Sequence, residues 1–214
     1  MFRSAFLFAL ICSTALLADA QNNLTLTQVQ KAFDQANIPA DAHITFDPSI
    51  FFEVIFSAGL GNETILQTPG TTLDLEEVAP TPSFAIKGSD LTSEFGYVVM
   101  AFDLDAEDPQ TPLLSPYRHF LGGGFRVAQN DWASLEGWSG VASSTPPVTA
   151  WQSPAPLSVD PHRYVFLVYD QSAEFATQTL VNPLTLRILW NLSSFAEEVG
   201  LGAPIGGTFM LVGL

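Results

Sequence analysis

His162-Arg163-Tyr164-Val165-Phe166-Leu167-Val168-Tyr169-Asp170-Gln171 is the stretch on which the fold turns. From Val165 to Tyr169 every residue is β-branched, aromatic or aliphatic, the types that pack on a pleated sheet. Asp160-Pro161 marks its start and Asp170-Gln171-Ser172 its end, so it reads as one buried strand. Side chains alternate along a strand, which places His162 and Tyr164 on one face and Arg163 on the other. A histidine and a tyrosine at the entry to an apolar strand either complete a hydrogen-bond network or line a pocket.

Outward from this strand the same pattern recurs. Gly96 to Phe102 is a second buried strand and runs into Asp103-Leu104-Asp105. A proline-rich loop, Ala106 to Pro116, leads to Tyr117-Arg118-His119-Phe120-Leu121, a strand that meets Gly122 to Gly124. Glycines inside a strand mark a bulge or a close backbone approach. Phe51 to Phe56 is strongly β, His43 to Phe46 and Thr71 to Leu75 are short strands, and Thr81 to Ile86 reads as half-exposed. Thr208 to Val212 is a closing strand. Two helices frame the set. Asn23 to Ala36, with Thr25 or Thr27 at its start, carries an apolar stripe of Val29, Ala32, Phe33 and Ala36. Pro183 to Val199 carries Leu186, Leu189, Trp190, Leu192 and Phe195, with Gly200 as its stop. Residues 130–149 read as a loop insertion. Strands punctuated by turns, without regular alternation with helices, predict a mostly β chain: an antiparallel β-sandwich with an N-terminal and a C-terminal helix.

With 214 residues, 47% of them hydrophobic and 14% charged, the chain has ample core for one domain and too little charge for disorder. Residues 1–20 form a separate segment. Arg3 precedes an apolar run, Phe6 to Leu17, too short to span a bilayer, and Ala18-Asp19-Ala20 has the form of a cleavage site. This predicts a signal peptide cut near Ala20 and a secreted domain over 21–214. The single cysteine, Cys12, lies within that leader, so the mature chain has neither disulfides nor thiol chemistry. Asn23, Asn62 and Asn191 each open an Asn-x-Ser/Thr sequon, sites for glycans on a secreted chain. The net charge is −15, and loss of Arg3 and Asp19 with the leader leaves it unchanged. Such a charge argues against nucleic acid and against stable docking on anionic membranes.

Few residues are equipped for chemistry. Asp103 and Asp105, two apart at a strand end, have the spacing to face the same way. His119 opens one strand, and His162 and Tyr164 open another. Three readings fit these residue types: a polar cluster that pins strand ends, a pocket, or a two-histidine, one-carboxylate metal set of His119, His162 and Asp105. A hydrolase fits poorly, since Gly137-Trp138-Ser139-Gly140 misses the G-x-S-x-G spacing by one position.

In order along the chain stand Asp103-Leu104-Asp105-Ala106-Glu107, Tyr117-Arg118-His119, Ser153-Pro154-Ala155-Pro156, His162-Arg163-Tyr164 and Ala203-Pro204-Ile205-Gly206-Gly207-Thr208-Phe209. Taken together these resemble the motifs of the phosphatidylethanolamine-binding protein family, and the N-terminal leader resembles its secreted fungal branch. The resemblance implies a non-enzymatic binding protein without cofactor, metal or catalytic residue. It implies a small anion pocket for phosphorylated or carboxylated head groups, phosphatidylethanolamine's among them. Asp103, Asp105, His119, His162 and Tyr164 would line it, with Tyr117, Pro154 and Pro156 on the rim. It also implies an alternative, inhibition of a serine carboxypeptidase through a protein surface. Leu104 and Glu107 stand where the family motif D-P-D-x-P has prolines. Their loop is therefore less constrained in φ, and Glu107 and Asp108 add negative charge beside the site.

Overall fold

The computed structural model describes residues 24–59, 61–128 and 137–214. The leader, its cleavage site, the Asn23 sequon, Trp132 and residues 130–136 of the expected insertion lie outside the described residues. The elements in chain order are α1 (Leu26–Gln35), α2 (Ile38–Asp41), β1 (Phe51–Ser57), β2 (Glu63–Leu66), β3 (Thr71–Thr72), β4 (Ser83–Lys87), β5 (Tyr97–Asp103), β6 (Tyr117–Val127), β7 (Ser139–Ala142), β8 (His162–Asp170), α3 (Ala173–Thr177), α4 (Leu192–Glu198) and β9 (Gly206–Val212).

The strands form a single sheet in the order β2-β1-β4-β7-β6-β5-β8-β9-β3. All neighbours are antiparallel except β3 and β9. The expected two-sheet sandwich is thus corrected to one sheet curled into a nearly closed barrel. The cause is β6: its eleven residues pair with β5 over most of their length and with β7 at Arg126 and Val127, so one strand carries the sheet round the bend. Phe52, Val54 and Phe84 from one half pack against Val99, Phe166, Val168 and Met210 from the other. On the outer face, Val98, Met100, Phe102, Val165 and Leu167 meet the helices through Phe33, Phe175 and Phe195. The central strand β8 is buried on both faces, which explains its unbroken apolar run.

Local chemistry explains most element ends. Thr25 caps α1 in a reciprocal box with Gln28: its hydroxyl accepts from the Gln28 amide at 3.2 Å, and Gln28 Oε1 accepts from the Thr25 amide at 2.8 Å. The apolar stripe lies as expected, with Val29 and Phe33 buried. Pro39 does not merely end that helix; it sits in the first turn of α2, where a missing N–H costs nothing. His43 then adopts a left-handed φ of 54°, and the strand expected over 43–46 does not form. Of Thr71 to Leu75 only two residues pair. The expected half-exposed strand, β4, is buried from Phe84 to Ile86 because β1 and β7 flank it. The expected insertion contains β7, so Ser139 to Ala142 belong to the sheet.

The glycine run is a bulge. Val99 faces Gly122 and Tyr97 faces Phe125, so β6 spends one extra residue there, with Gly124 at φ 69°. The C-terminal helix is shorter than expected. From 183 to 190 the chain turns, and only Leu192–Glu198 is helical, ended by Gly200 at φ 66°. The backbone of 185–190 is recruited elsewhere: the Arg118 amide donates to the Arg187 carbonyl at 2.8 Å, and the Leu189 amide donates to the Leu114 carbonyl at 3.0 Å.

Candidate functional site

Three strand termini converge at one end of the sheet. Asp103, the last residue of β5, is paired with Tyr164 of β8 on one side and with Tyr117 of β6 on the other. A second irregularity in β6 falls here: Ala101 faces Phe120 while Phe102 faces Arg118, which leaves His119 as the extra residue. Bulges of this kind re-aim side chains near sites. The result is a row of rings. Tyr117 and His119 centroids lie 4.9 Å apart, His119 and Tyr164 5.1 Å, and His162 and Tyr164 6.1 Å in a stacked pair.

These residues line a cleft of about 170 Å³ together with Asp103, Ala106, Glu107, Leu114, Gln152, Ala155 and Leu157. Asp103 is its anchor. Its Oδ2 accepts from His162 Nδ1 at 2.8 Å, and its Oδ1 accepts from the Asp105 amide at 2.7 Å. The Tyr164 hydroxyl is engaged by the Asp103 carboxylate and the Ala155 backbone, and burial pushes its pKa well up, so it stays a neutral phenol.

The two histidines differ electrically. Burial works against charge on His162, but the hydrogen bond and charge of Asp103, aided by Asp105 and Asp108, outweigh it and raise its pKa. His162 is thus the more readily protonated of the pair, with Nε2 3.4 Å from the Ser158 hydroxyl. His119 is held the other way: burial lowers its pKa. Its Nδ1 donates to the Gln152 carbonyl at 2.6 Å, which leaves Nε2 as an acceptor. The cleft therefore pairs a histidine that favours its proton with one that resists it.

Of the residues expected on sequence grounds, Asp103, Tyr117, His119, His162 and Tyr164 line the cleft. Asp105 does not. Past the end of β5 alternation no longer holds, because Asp103 Oδ1 captures the Asp105 amide in a turn. Asp105 swings to the opposite side and meets Arg163: Oδ1 accepts from Nη2 at 2.7 Å, and Oδ2 accepts from Nε at 2.9 Å and from the Arg163 amide at 2.8 Å. The trio His119, His162 and Asp105 is therefore not assembled, and no group of three metal-ligating side chains occurs among the described residues. Pro154 and Pro156 are buried beneath the rim, which Ala155 between them and Leu157 supply. Gln152 went unrecognised in the sequence; its only signal was its place beside Ser153 to Pro156. Arg187 was missed as well: it donates to the His119 carbonyl and to the Arg118 carbonyl, each at 3.2 Å, and fixes the start of β6.

Fold comparison places the chain beside a carboxypeptidase Y inhibitor solved in complex with its cognate proteinase, at TM-score 0.72 and 19% identity, covering 88% of this chain and 96% of that one. A phosphatidylethanolamine-binding protein from Plasmodium vivax aligns at TM-score 0.61 and 16% identity, over 85% and 95%. At such identities these likenesses speak for the fold. In sequence the chain is 27% identical to CEN-like protein 1 of Nicotiana tabacum over 165 residues, 77% of this chain and 82% of that protein. The family model for phosphatidylethanolamine-binding protein matches residues 62–210, well over half the chain and the whole of the strand set that builds the cleft. The chain belongs to the phosphatidylethanolamine-binding protein family.

Proposed function

We propose that the protein is a secreted, non-enzymatic binder that takes a phosphorylated or carboxylated head group into the His119–His162 cleft. One observation carries the reading: His162, whose Nδ1 donates to Asp103 at 2.8 Å and whose pKa that carboxylate raises, stands in the cleft beside the neutral phenol of Tyr164. Charge-assisted N–H···O bonds to phosphate or carboxylate are the strong ones. Glu107 in the lining and Asp108 nearby oppose anions, so the cleft favours a head group that also carries a cation, as phosphoethanolamine does. The leader sequence supports secretion. Asn62, beside the β1–β2 turn, and Asn191, at the start of α4, are both exposed, as glycan acceptors must be.

Calorimetric titration of phosphoethanolamine into the chain beginning at Gln21 tests this. Recovery of that chain from culture medium with residues 1–20 removed tests the leader. Binding stronger at pH 5 than at pH 7.5 is expected, because His162 is then fully charged. His162→Ala weakens binding by about tenfold or more, the worth of one charge-assisted bond. Equal affinity in His162→Ala overturns the site.

A second reading, inhibition of a serine carboxypeptidase, is favoured by the likeness to the inhibitor fold and by the surface round the cleft. Among the described residues every large aliphatic side chain at least 62% exposed lies on the loops at this end or at the adjoining C-terminus: Leu113, Leu157, Val159, Leu184, Leu186, Leu189 and Leu214. An apolar rim of this kind suits a protein partner. Stoichiometric loss of carboxypeptidase activity on titration, undiminished in His162→Ala, distinguishes this function from the first.

A further inference from the structure

The sheet stops short of closure, and the seam holds a second cavity that shares no residue with the histidine cleft. β1 and β9 approach where the Ser49 and Ile50 amides donate to the Ile205 carbonyl at 2.8 and 3.1 Å. No ladder joins the two strands among the described residues, and a cavity of about 460 Å³ lies between them beneath α1. That volume is in the range of small-molecule sites.

Its floor is polar and its walls are aromatic. Glu53 of β1 and Thr208 of β9 are 2% and 1% exposed. Gln67 engages the Glu53 carboxyl, yet Glu53 Oε2 and Thr208 Oγ1 have no hydrogen-bond partner. Two buried polar atoms left unpaired in the lining of one cavity are costly and call for an explanation. Phe51 and Trp138 line the same cavity, with centroids 6.4 Å apart and planes at 57°. The one other charged side chain in the described lining is Lys87 of β4, which is less buried and lies beside Gly137 at the rim.

We propose that this seam cavity is a second binding site, for a small aromatic or aliphatic primary amine whose ammonium sits on Glu53 and Thr208. An ammonium brings three donors to a carboxylate and a hydroxyl that lack them. Its apolar body lies between Phe51 and Trp138. The inference stands independently of the head-group reading, which concerns other residues.

The test is a titration of 2-phenylethylamine against 2-phenylethanol, a neutral molecule of the same shape, followed by heat and by Trp fluorescence. At pH 8 the amine binds about tenfold or more tightly than the alcohol, as a charged hydrogen bond requires. The free Glu53 carboxyl titrates at about 7, because burial raises it against the opposing effects of Lys87 and Gln67. The preference therefore collapses at pH 5.5, where the carboxyl is protonated and the amine is still charged. Glu53→Gln abolishes the preference, and Trp138→Phe removes the fluorescence change while heat persists. Equal binding of amine and alcohol at pH 8, or no binding of either in the millimolar range, overturns the proposal without recourse to any variant. An undiminished preference in a folded Glu53→Gln protein does so too.

Discussion

Asp105 and Arg163 show how far a single residue's role depends on its last few ångströms of backbone. Both aspartates sit at the end of one strand, yet one organises the cleft and the other closes an ion pair behind it. Arg163 makes bonds that hold three segments together: to Asp105 in forked geometry, to Asp41 Oδ2 at 2.7 Å and to the Ala36 carbonyl at 2.6 Å. It thereby ties the helix pair α1–α2 to β8. Arg163→Ala leaves the Asp105 carboxylate buried without its partner, which costs about 3 kcal/mol. Arg163→Lys recovers only part of this, because an ammonium cannot reproduce the fork. Urea unfolding of the two variants measures both; a loss below about 1 kcal/mol for Arg163→Ala would show that Asp105 finds solvent instead. Alternation along β8 placed Arg163 on the face away from His162, and a carboxylate partner, Asp103 or a neighbour, was the expectation; the partner is Asp105. Which aspartate it takes was not legible, because the choice rests on a turn made by Asp103's own side chain.

At the scale of elements, β6 does the most. It carries the sheet round its bend, presents His119 at one bulge and packs α3 against the other. Gly123 is the contact point: a Cβ there would stand 2.3 Å from Phe175 Cε1 and 2.6 Å from Gln171 Oε1. Phe175 is buried, and Gln171 Oε1 is already held by the Gly124 amide at 2.6 Å, so neither gives way easily. Gly123→Ala is expected to destabilise by about 1–3 kcal/mol, the usual toll of overpacking. A midpoint of thermal unfolding unchanged from the native protein would mean that α3 moves freely. The glycine run announced a bulge or a close approach in the sequence, and the structure contains both. By contrast, 183–190 misled: Leu186 and Leu189 have helical spacing with Trp190 and Phe195, but their backbone is spent on β6 and on the 106–116 loop. The spacing is real; tertiary hydrogen bonds outcompete the helix it suggests.

For the whole molecule, pH acts through three buried groups of different sign. The Glu53 carboxyl ionises near its ordinary value of 4.5 when unfolded and at about 7 when folded. Stability therefore falls as pH rises from 4.5 to 7, by on the order of 3 kcal/mol in total. His162 has a raised folded pKa, so its contribution is complete below about 6.5 and is lost as pH climbs through the folded value. His119 has a lowered one, so its contribution is lost as pH falls below about 6.5. The −15 net charge adds self-repulsion that acid relieves. Scanning calorimetry at constant ionic strength should give a higher Tm at pH 6 than at pH 8, with Glu53→Gln flattening the difference. A higher Tm at pH 8 would contradict the burial of Glu53 as a neutral acid.

The sequence by itself determined the mostly β class, the buried strands β5 and β8, the capped first helix and five residues of the cleft. Most of this is written in local chemistry: apolar runs, a threonine at a helix start, glycines, and polar residues at strand ends; Tyr117's place at the cleft rested on the family resemblance. Only the tertiary structure decided that the strands form one curled sheet rather than two, because that depends on one long strand changing partners. It alone decided that Asp105 faces away, that the pKa of His119 is lowered while that of His162 is raised, and that Glu53 lines a cavity at the seam. Those outcomes depend on what is brought beside a residue from elsewhere in the chain, and distance in space is not spelled out in order along it.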